Sequence, residues 1–326
     1  ALGDLVSPKT LLPEDECARW NSGGPGPVAV VAPSSVEELA EIMNRASREG
    51  WKVVPAGQGT WLRGGGKVEA DLVVSTVRMV SIREYEPADL TLTAQAGITL
   101  SALGEATAAN GQWLPIDPPG GGKGSLGAAV SLGVSGPLGH LYGTPRDHIL
   151  GLSMVSGDGR VLNWGGRVVK NVAGFDLTRL TIGSWGTLGV ITSVSARLFP
   201  IPEADVTLVL RGSEAPSLLP AADSMIRSGL PIGAMEVLDP FPGGEAGGEG
   251  GSGLALRLLG SRAQVEEMES RIRAELAGAG SGWMRFEGEE SRGFHDRLSR
   301  WEEGADIVLR LALLPSRLGR LFQELA

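Results

Sequence analysis

The sequence predicts an α+β protein of two domains, the first built from short strands around glycine-rich loops and the second of β-α-β-β-α-β order. Three observations predict it. A chain of 326 residues with 42% hydrophobic content is long enough to bury two ordinary cores. After Pro202 the pattern changes from short strands broken by Gly/Pro segments to a regular alternation of strands and amphipathic helices. Charge changes with it: residues 1–200 carry a net −2 and the remainder −7 of the formal −9. The expected division is an N-terminal segment over 1–27, a first domain over 28–202 and a second over 203–326.

The first clear helix begins at PSSVEELAEIMNRASREG. Ser34 or Ser35, followed three residues later by Glu37 or Glu38, gives a capping box; Val36, Leu39, Met43 and Ala46 share a face, and Gly50 supplies the stop. WKVVPA reads as a strand, PAGQGTWLRGGG as a glycine loop, DLVVST as a second strand, TLTAQAG as a third, and TLSALGEATAANG as a helix closing on Gly111. From Pro115 to Gly143 the chain is Gly/Pro-rich, with Ser125 placed to cap a short helix, LGAAVSL. Between Ile149 and Asn163 two apolar runs flank SGDGR, a hairpin turn on Asp158 and Gly159. WGTLGVITSVSARLFP supplies a final strand and a proline stop.

In the second domain VTLVL, AMEVLD, LALRLL and WMRF read as strands, and Ser217–Ser228 and Ser261–Ala277 as helices, the latter opening on a Ser261/Gln264 box. This is the order of a ferredoxin-like layer. The insert at 240–253 is expected to be a mobile loop without a binding role. In SRLGRLFQELA, residues Leu318, Leu321, Phe322 and Leu325 share a face that is expected to pack on something, possible C-terminal truncation included.

Several function classes are excluded on composition. The negative charge argues against a nucleic-acid binder. Cys17, the single cysteine, makes no intrachain disulfide and by itself holds neither zinc nor an iron–sulfur cluster. No apolar run approaches membrane-span length and the start, ALGDLVSPKT, lacks signal-peptide character, so a cytoplasmic protein is expected, with any membrane association through partners. The opening glycine loop fits neither of two familiar phosphate motifs. After Gly57 and Gly59 the third position of a G-x-G-x-x-G turn is Leu62, and Val68 or Gly124 follows the lysine where a Walker loop needs Ser or Thr. An anion nest of backbone N–H groups, with Thr60 adding a hydroxyl, remains beside the plainer reading of a turn between strands.

Taken together, PSSVEEL, PAGQGTW, DPPGGGKGSLGAAVSLGVSGP, YGTPRD and VVKNVAGFDLTRLTIGSWGTLGVIT occur in an order and spacing that resembles the FAD-binding domains of the vanillyl-alcohol oxidase superfamily, over about residues 28–200. The fold this implies is a PCMH-type FAD-binding domain of two α+β subdomains, followed by a smaller ferredoxin-like α+β cap domain. Within the superfamily the chain is most similar to FAD-binding (E) subunits of glycolate oxidase. Those subunits work beside a sister FAD-containing catalytic subunit and an iron–sulfur subunit, and these are the expected partners.

The resemblance implies that Ala56, Gly57, Gln58, Gly59, Thr60 and Trp61 wrap the FAD pyrophosphate through main-chain N–H groups. It places Pro118, Pro119, Ser125 and Gly127 beside flavin and ribityl, with Ser135 and Gly136 next along the wall, and Gly189, Val190 and Ile191 at the adenosine end. Ser125, at a helix start, is in position to turn a hydroxyl and amides toward the cofactor. Where relatives attach flavin covalently through histidine, this loop offers Gln58 and Thr60, so the FAD is expected to be non-covalent. Many relatives carry an acidic residue where this chain has Trp185, which puts a side-chain contact to the adenosine in doubt.

Oxidation of a 2-hydroxy acid also needs a base and a cationic clamp. Relatives of this activity hold a metal in a histidine-rich cluster of the second domain; after residue 200 this chain has His295 alone, expected on a helix surface. No metal site and no catalytic residue are assigned. His140 and His148 flank YGTPRD, and Lys170 and Arg146 are candidates for a charge near the flavin, against ordinary salt bridges to Asp176 and Asp147. The expected function is an FAD-binding subunit of a glycolate or 2-hydroxy-acid oxidising complex that passes electrons to the iron–sulfur partner. The alternatives are a self-sufficient D-lactate or D-2-hydroxy-acid dehydrogenase and a flavin-free assembly subunit.

Overall fold

In a computed structural model of the chain, the described residues are 9–13, 17, 20, 27, 29–62, 64, 66–166, 175–241, 251–301, 307–309, 311 and 313–325. They divide into two compact units, one of residues 1–135 and 143–201, the other of residues 136–142 and 202–326.

The first unit contains two α+β layers. Strands β1 (Ala29–Val31), β2 (Val53–Ala56) and β3 (Leu72–Ser75) form a parallel sheet in the order β1-β3-β2, with helix α1 (Val36–Glu49) as the crossover from β1 to β2. Of the two serines that could cap α1, Ser35 does so: its Oγ accepts from the Glu38 N–H at 3.1 Å. The Glu38 carboxylate does not return to Ser35 but accepts from the N–H of Ser34 at 2.8 Å. Gly50 ends the helix at φ 69°, a left-handed geometry that glycine adopts without penalty. Leu39, Ile42, Met43 and Ala46 are buried, the first three packing with Val31, Leu72 and Val74.

The second layer is an antiparallel sheet in the order β4-β5-β9-β7-β8, from β4 (Ile82–Glu86), β5 (Thr91–Gln95), β7 (Ile149–Ser156), β8 (Val161–Gly165) and β9 (Gly189–Arg197). Helices α2 (Leu100–Ala108) and α3 (Leu126–Leu132) cover it, placing Leu103, Leu126 and Val130 against Leu92, Met154 and Val194. Ser125 caps α3, accepting from the Ala128 N–H at 3.3 Å. A two-residue pairing of β6 (Gln112–Trp113) with β10 (Phe199–Pro200) closes the unit.

The second unit holds β11 (Ala204–Gly212), α4 (Ala215–Ser228), β12 (Ala234–Leu238), β13 (Ser252–Gly260), α5 (Arg262–Glu275) and β14 (Gly282–Glu287). Its sheet is antiparallel throughout, in the order β12-β13-β11-β14, the ferredoxin-like arrangement. Alternation puts Val206, Leu208 and Leu210 of β11 toward Leu218 and Met225 of α4 and Val265, Met268 and Ile272 of α5. The Ser261/Gln264 capping box is present in full. On the opposite face Val209 packs against Phe294 and Leu298 of helix α6 (Glu289–Ser299). Helix α7 (Pro315–Leu325) lies against α4, with Leu318, Leu321 and Phe322 half-buried; the Leu325 side chain and residues 242–250 of the expected loop lie outside the described residues.

Candidate functional site

The opening glycine loop leaves the end of β2 with its carbonyls engaged from behind. The Ala56 carbonyl accepts from the Thr76 N–H at 3.0 Å, and the Gly57 carbonyl from Ser75 Oγ at 2.9 Å. The Gln58 side chain donates to the Gly97 carbonyl at 3.0 Å, and the Trp61 indole N–H to the Pro119 carbonyl at 2.8 Å. With those two oxygens held, the amides of Gly57, Gln58, Gly59 and Thr60 donate to no partner among the described residues. An array of uncommitted N–H groups in a glycine turn is suited to an anion.

Gly57, Gly59 and Thr60 border a cavity of about 310 Å³ within the first unit. From the loop, Ala56, Gly57, Gly59, Thr60 and Trp61 line it; from α3, Gly127 with Ala128 and Ser131; from β9, Gly189, Val190 and Ile191. Three segments that lie far apart in sequence therefore meet around one cleft. The walls are built by close backbone approach: a Cβ on Gly127 would sit 2.5 Å from the Ala96 Cβ. Such a cradle fits a long, thin ligand with a central anion, the shape of a dinucleotide such as FAD.

Other predicted residues sit behind the wall. Ser125 is fully buried, its Oγ committed to the cap of α3 and packed against Gly57. Pro118 is buried, Pro119 is half-buried, and Gln58 is turned toward Gly97. Ser135 and Gly136 stand where the chain passes from one unit to the other. None of these six lines the cavity.

Val53, Val54, Pro55, Thr187 and Trp185 line the cavity without having been singled out as binding residues. Small residues at Gly127, Ala128 and Ser131, on one face of α3, were the available signal for that wall. Trp185 looked only like the loss of an acidic side chain.

The charged candidates are dispersed. His140 and Arg146 are exposed and absent from the cavity wall, while Asp147 accepts from the Thr144 N–H at 2.7 Å. His148 is buried, its ring edge-on to Phe199 at 5.4 Å between centroids, and burial lowers its pKa. Lys170 lies outside the described residues.

His295 corrects an expectation. Rather than lying on a helix surface, its side chain is 11% exposed, with Nε2 3.0 Å from Thr207 Oγ1 and Nδ1 3.6 Å from Glu236. Burial lowers its pKa, with the Glu236 carboxylate acting in the opposite direction. Thr207 continues to Ser291 at 2.7 Å, Ser291 donates to Asp205 at 2.6 Å, and Asp205 holds Arg257 in a buried two-point ion pair. The cause is register: Asp205, Thr207 and Arg257 project from the sheet face that α6 covers. Among the described residues no group of three or more His, Cys, Asp or Glu could hold a metal ion, and no helix is long and apolar enough to cross a membrane.

Residues 27–165 match the family described as FAD binding domain. The chain is 35% identical over 196 residues to "Glycolate oxidase subunit GlcE" of Escherichia coli (strain K12), covering 60% of this chain and 56% of that protein. It is 33% identical over 217 residues to "Probable D-lactate dehydrogenase, mitochondrial" of Danio rerio, covering 65% and 43%. It is also 33% identical over 214 residues to "Glycolate oxidase subunit GlcD" of Bacillus subtilis (strain 168), covering 65% and 46%. The chain spans about half the length of these relatives. Its fold is shared with a solved structure of alkyldihydroxyacetonephosphate synthase, at TM-score 0.76 and 17% identity, covering 91% of this chain and 62% of that one.

Proposed function

We propose, for a chain whose residues 27–165 match the FAD binding domain family, the role of an FAD-binding subunit in a complex that oxidises glycolate or another small 2-hydroxy acid. The observation that carries this reading is the convergence of the Ala56–Trp61 loop, Gly127 and the Gly189–Ile191 strand on one glycine-walled cleft. The names of the relatives, two of them glycolate oxidase subunits, support the substrate class. On this reading the FAD-binding domain extends over 28–202 and the ferredoxin-like cap over 203–326.

The chemistry supplied by bound FAD is two-electron oxidation of the hydroxyl-bearing carbon and release of electrons one at a time. The residues of this chain bind and orient. Amides of Gly57 to Trp61 hold the pyrophosphate, main-chain groups of Gly189, Val190 and Ile191 hold the adenosine, and Gly127, Ser125, Pro118 and Pro119 form and back the wall beside ribityl and flavin. Ser135 and Gly136, the remaining residues assigned to the cofactor, follow α3 in the chain. The described side chains that line the cleft are apolar or hydroxyl-bearing, without a group that exchanges a proton near neutral pH. On this reading the substrate is oxidised in a sister flavin subunit and electrons pass to an iron–sulfur subunit.

The experiment is an absorption spectrum of the freshly purified chain and of the chain reconstituted with FAD, followed by addition of glycolate with and without the partner subunits. Bound flavin that glycolate reduces only with the partners present is the expected result. Absence of bound flavin in both preparations overturns the cofactor reading. Rapid reduction by glycolate or D-lactate in the isolated chain replaces the accessory role with that of a self-sufficient dehydrogenase, the reading favoured by the D-lactate dehydrogenase relative.

A further inference from the structure

Trp185 stands in a turn between two glycines of positive φ, Gly183 at 80° and Gly186 at 74°, and itself has φ 56°. A bulky residue is strained there, and such strain persists where the surroundings fix it. The fixing contacts are all main-chain or local. The Trp185 N–H donates to the Ser131 carbonyl at the end of α3 at 2.9 Å, and Thr187 returns to the Ser184 carbonyl through both its N–H, at 3.0 Å, and its hydroxyl, at 2.6 Å. None of them requires an indole.

Nor does the core require it. Trp185 is 50% exposed, yet it lines the cleft. Its surroundings are small or apolar: Gly186 packs so closely on Pro55 that a Cβ would meet the ring at 3.1 Å, and Val68 also lines the cleft. The indole edge faces Gly64, 3.7 Å from where a Cβ would stand. A strained backbone that presents a half-exposed aromatic ring to a cleft, at a wall with few side-chain donors, is arranged to receive another planar ring by stacking. Stacking on a nucleobase uses its π-face and needs no matched hydrogen-bond edge.

We propose that Trp185 is the stacking platform for the adenine ring of FAD, an inference that rests on the reading of this cleft as the FAD site. One feature selects the adenine end rather than the isoalloxazine: Trp185 lies four residues before Gly189, in the turn that leads into the Gly189–Ile191 strand assigned to the adenosine. The acidic residue whose loss seemed to remove an adenosine contact is thus replaced by a contact of a different kind.

The test uses the full chain and calorimetric titration with FAD, ADP and FMN, which carry both ends, the adenine end and the flavin end. Glycine is at ease at φ 56°, so Trp185→Gly is expected to raise the thermal midpoint of the ligand-free protein while weakening FAD and ADP roughly tenfold or more. FMN affinity is expected to stay unchanged, and Trp185→Phe to keep most of the FAD affinity. Wild-type tryptophan fluorescence is expected to fall on ADP binding, with the change lost in Trp185→Gly. If wild type binds FAD and Trp185→Gly binds FAD and ADP equally well, the stacking role is wrong. If FMN rather than ADP is weakened, the indole serves the flavin end and the assignment is overturned. Failure of wild type to bind FAD is a separate outcome that removes the parent reading, and this one with it.

Discussion

Gly57 and Ser125 pack so closely that no side-chain atom fits between them: a Cβ built on Gly57 would lie 1.8 Å from Ser125 Oγ and 2.9 Å from its Cβ. The pyrophosphate loop and the cap of α3 are thus packed backbone to hydroxyl, and Ser125 supports the loop from behind.

Gly57→Ala must therefore displace either the loop or the cap. The expected cost is about 1–3 kcal/mol of stability, typical of overpacking, together with a large loss of FAD affinity. Adding Ser125→Gly removes the two closest contacts and leaves the Ala128 Cβ at 3.3 Å, so the double variant is expected to recover part of both losses. Melting curves and FAD titrations of the two single variants and the double variant check this; strictly additive effects would disprove the contact.

Local signals carried the reading of this region, and contacts between distant residues escaped it. Ser125 as the cap of LGAAVSL was legible because a cap and the amide it accepts lie three residues apart. The same spacing marks Ser261 with Gln264 and narrows the first cap to Ser34 or Ser35, of which Ser35 is the cap; the ferredoxin-like layer was legible in the β-α-β-β-α-β element order. Trp185 was not legible as a cleft residue, since its position depends on a main-chain bond to Ser131 on another element. His295 misled for the same reason. SRGFHDRLSRW is polar enough to read as a solvent face, and the hydroxyl that receives the ring, Thr207, is 88 residues away. The pairing of Gln112–Trp113 with Phe199–Pro200 spans a similar distance in two residues per strand, too few for alternation to show.

The second unit offers a direct test of its buried charges. Asp205 accepts two bonds from Arg257, at 3.0 and 2.6 Å, and one from Ser291, and both charged side chains are less than a tenth exposed. Asp205→Asn leaves the guanidinium buried without a counter-charge. The expected loss is about 3–5 kcal/mol. A paired replacement of Asp205 and Arg257 by leucine and methionine is expected to cost much less, and chemical denaturation of the three proteins compares them. Equal losses in the single and paired variants would mean that the ion pair is not what holds Arg257.

Flavin attachment makes a third test. Covalent linkage needs a nucleophilic side chain at the flavin, and the described cleft residues offer only the hydroxyls of Thr60, Thr76, Ser131 and Thr187. Acid precipitation of the FAD-loaded protein is therefore expected to leave the pellet colourless and all flavin in the supernatant. Flavin retained in the pellet after washing would show a covalent bond.

His148 gives a pH dependence whose sign follows from its surroundings. Its ring is 1% exposed, and neither ring nitrogen has a partner among the described residues. Burial lowers its pKa, the Asp147 carboxylate opposes that shift, and Arg197 adds to it. In the unfolded chain the imidazole titrates near its ordinary value of about 6.5. Between the lowered folded value and 6.5 the unfolded state binds more protons, so stability rises with pH. The contribution is present in full above about pH 6.5 and is lost as pH falls toward the folded pKa. His295, also lowered by burial, acts in the same direction in the second unit. His148→Phe keeps an aromatic ring against Phe199 and removes two unpaired nitrogens, so it is expected to gain about 1 kcal/mol near neutral pH. It is also expected to flatten the fall of the first unit's urea midpoint between about pH 7 and 5, while the share due to His295 persists. An unchanged slope in the variant would mean that the folded protein already accommodates a protonated His148, and the buried position would then need a counter-charge that Asp147 alone would have to supply.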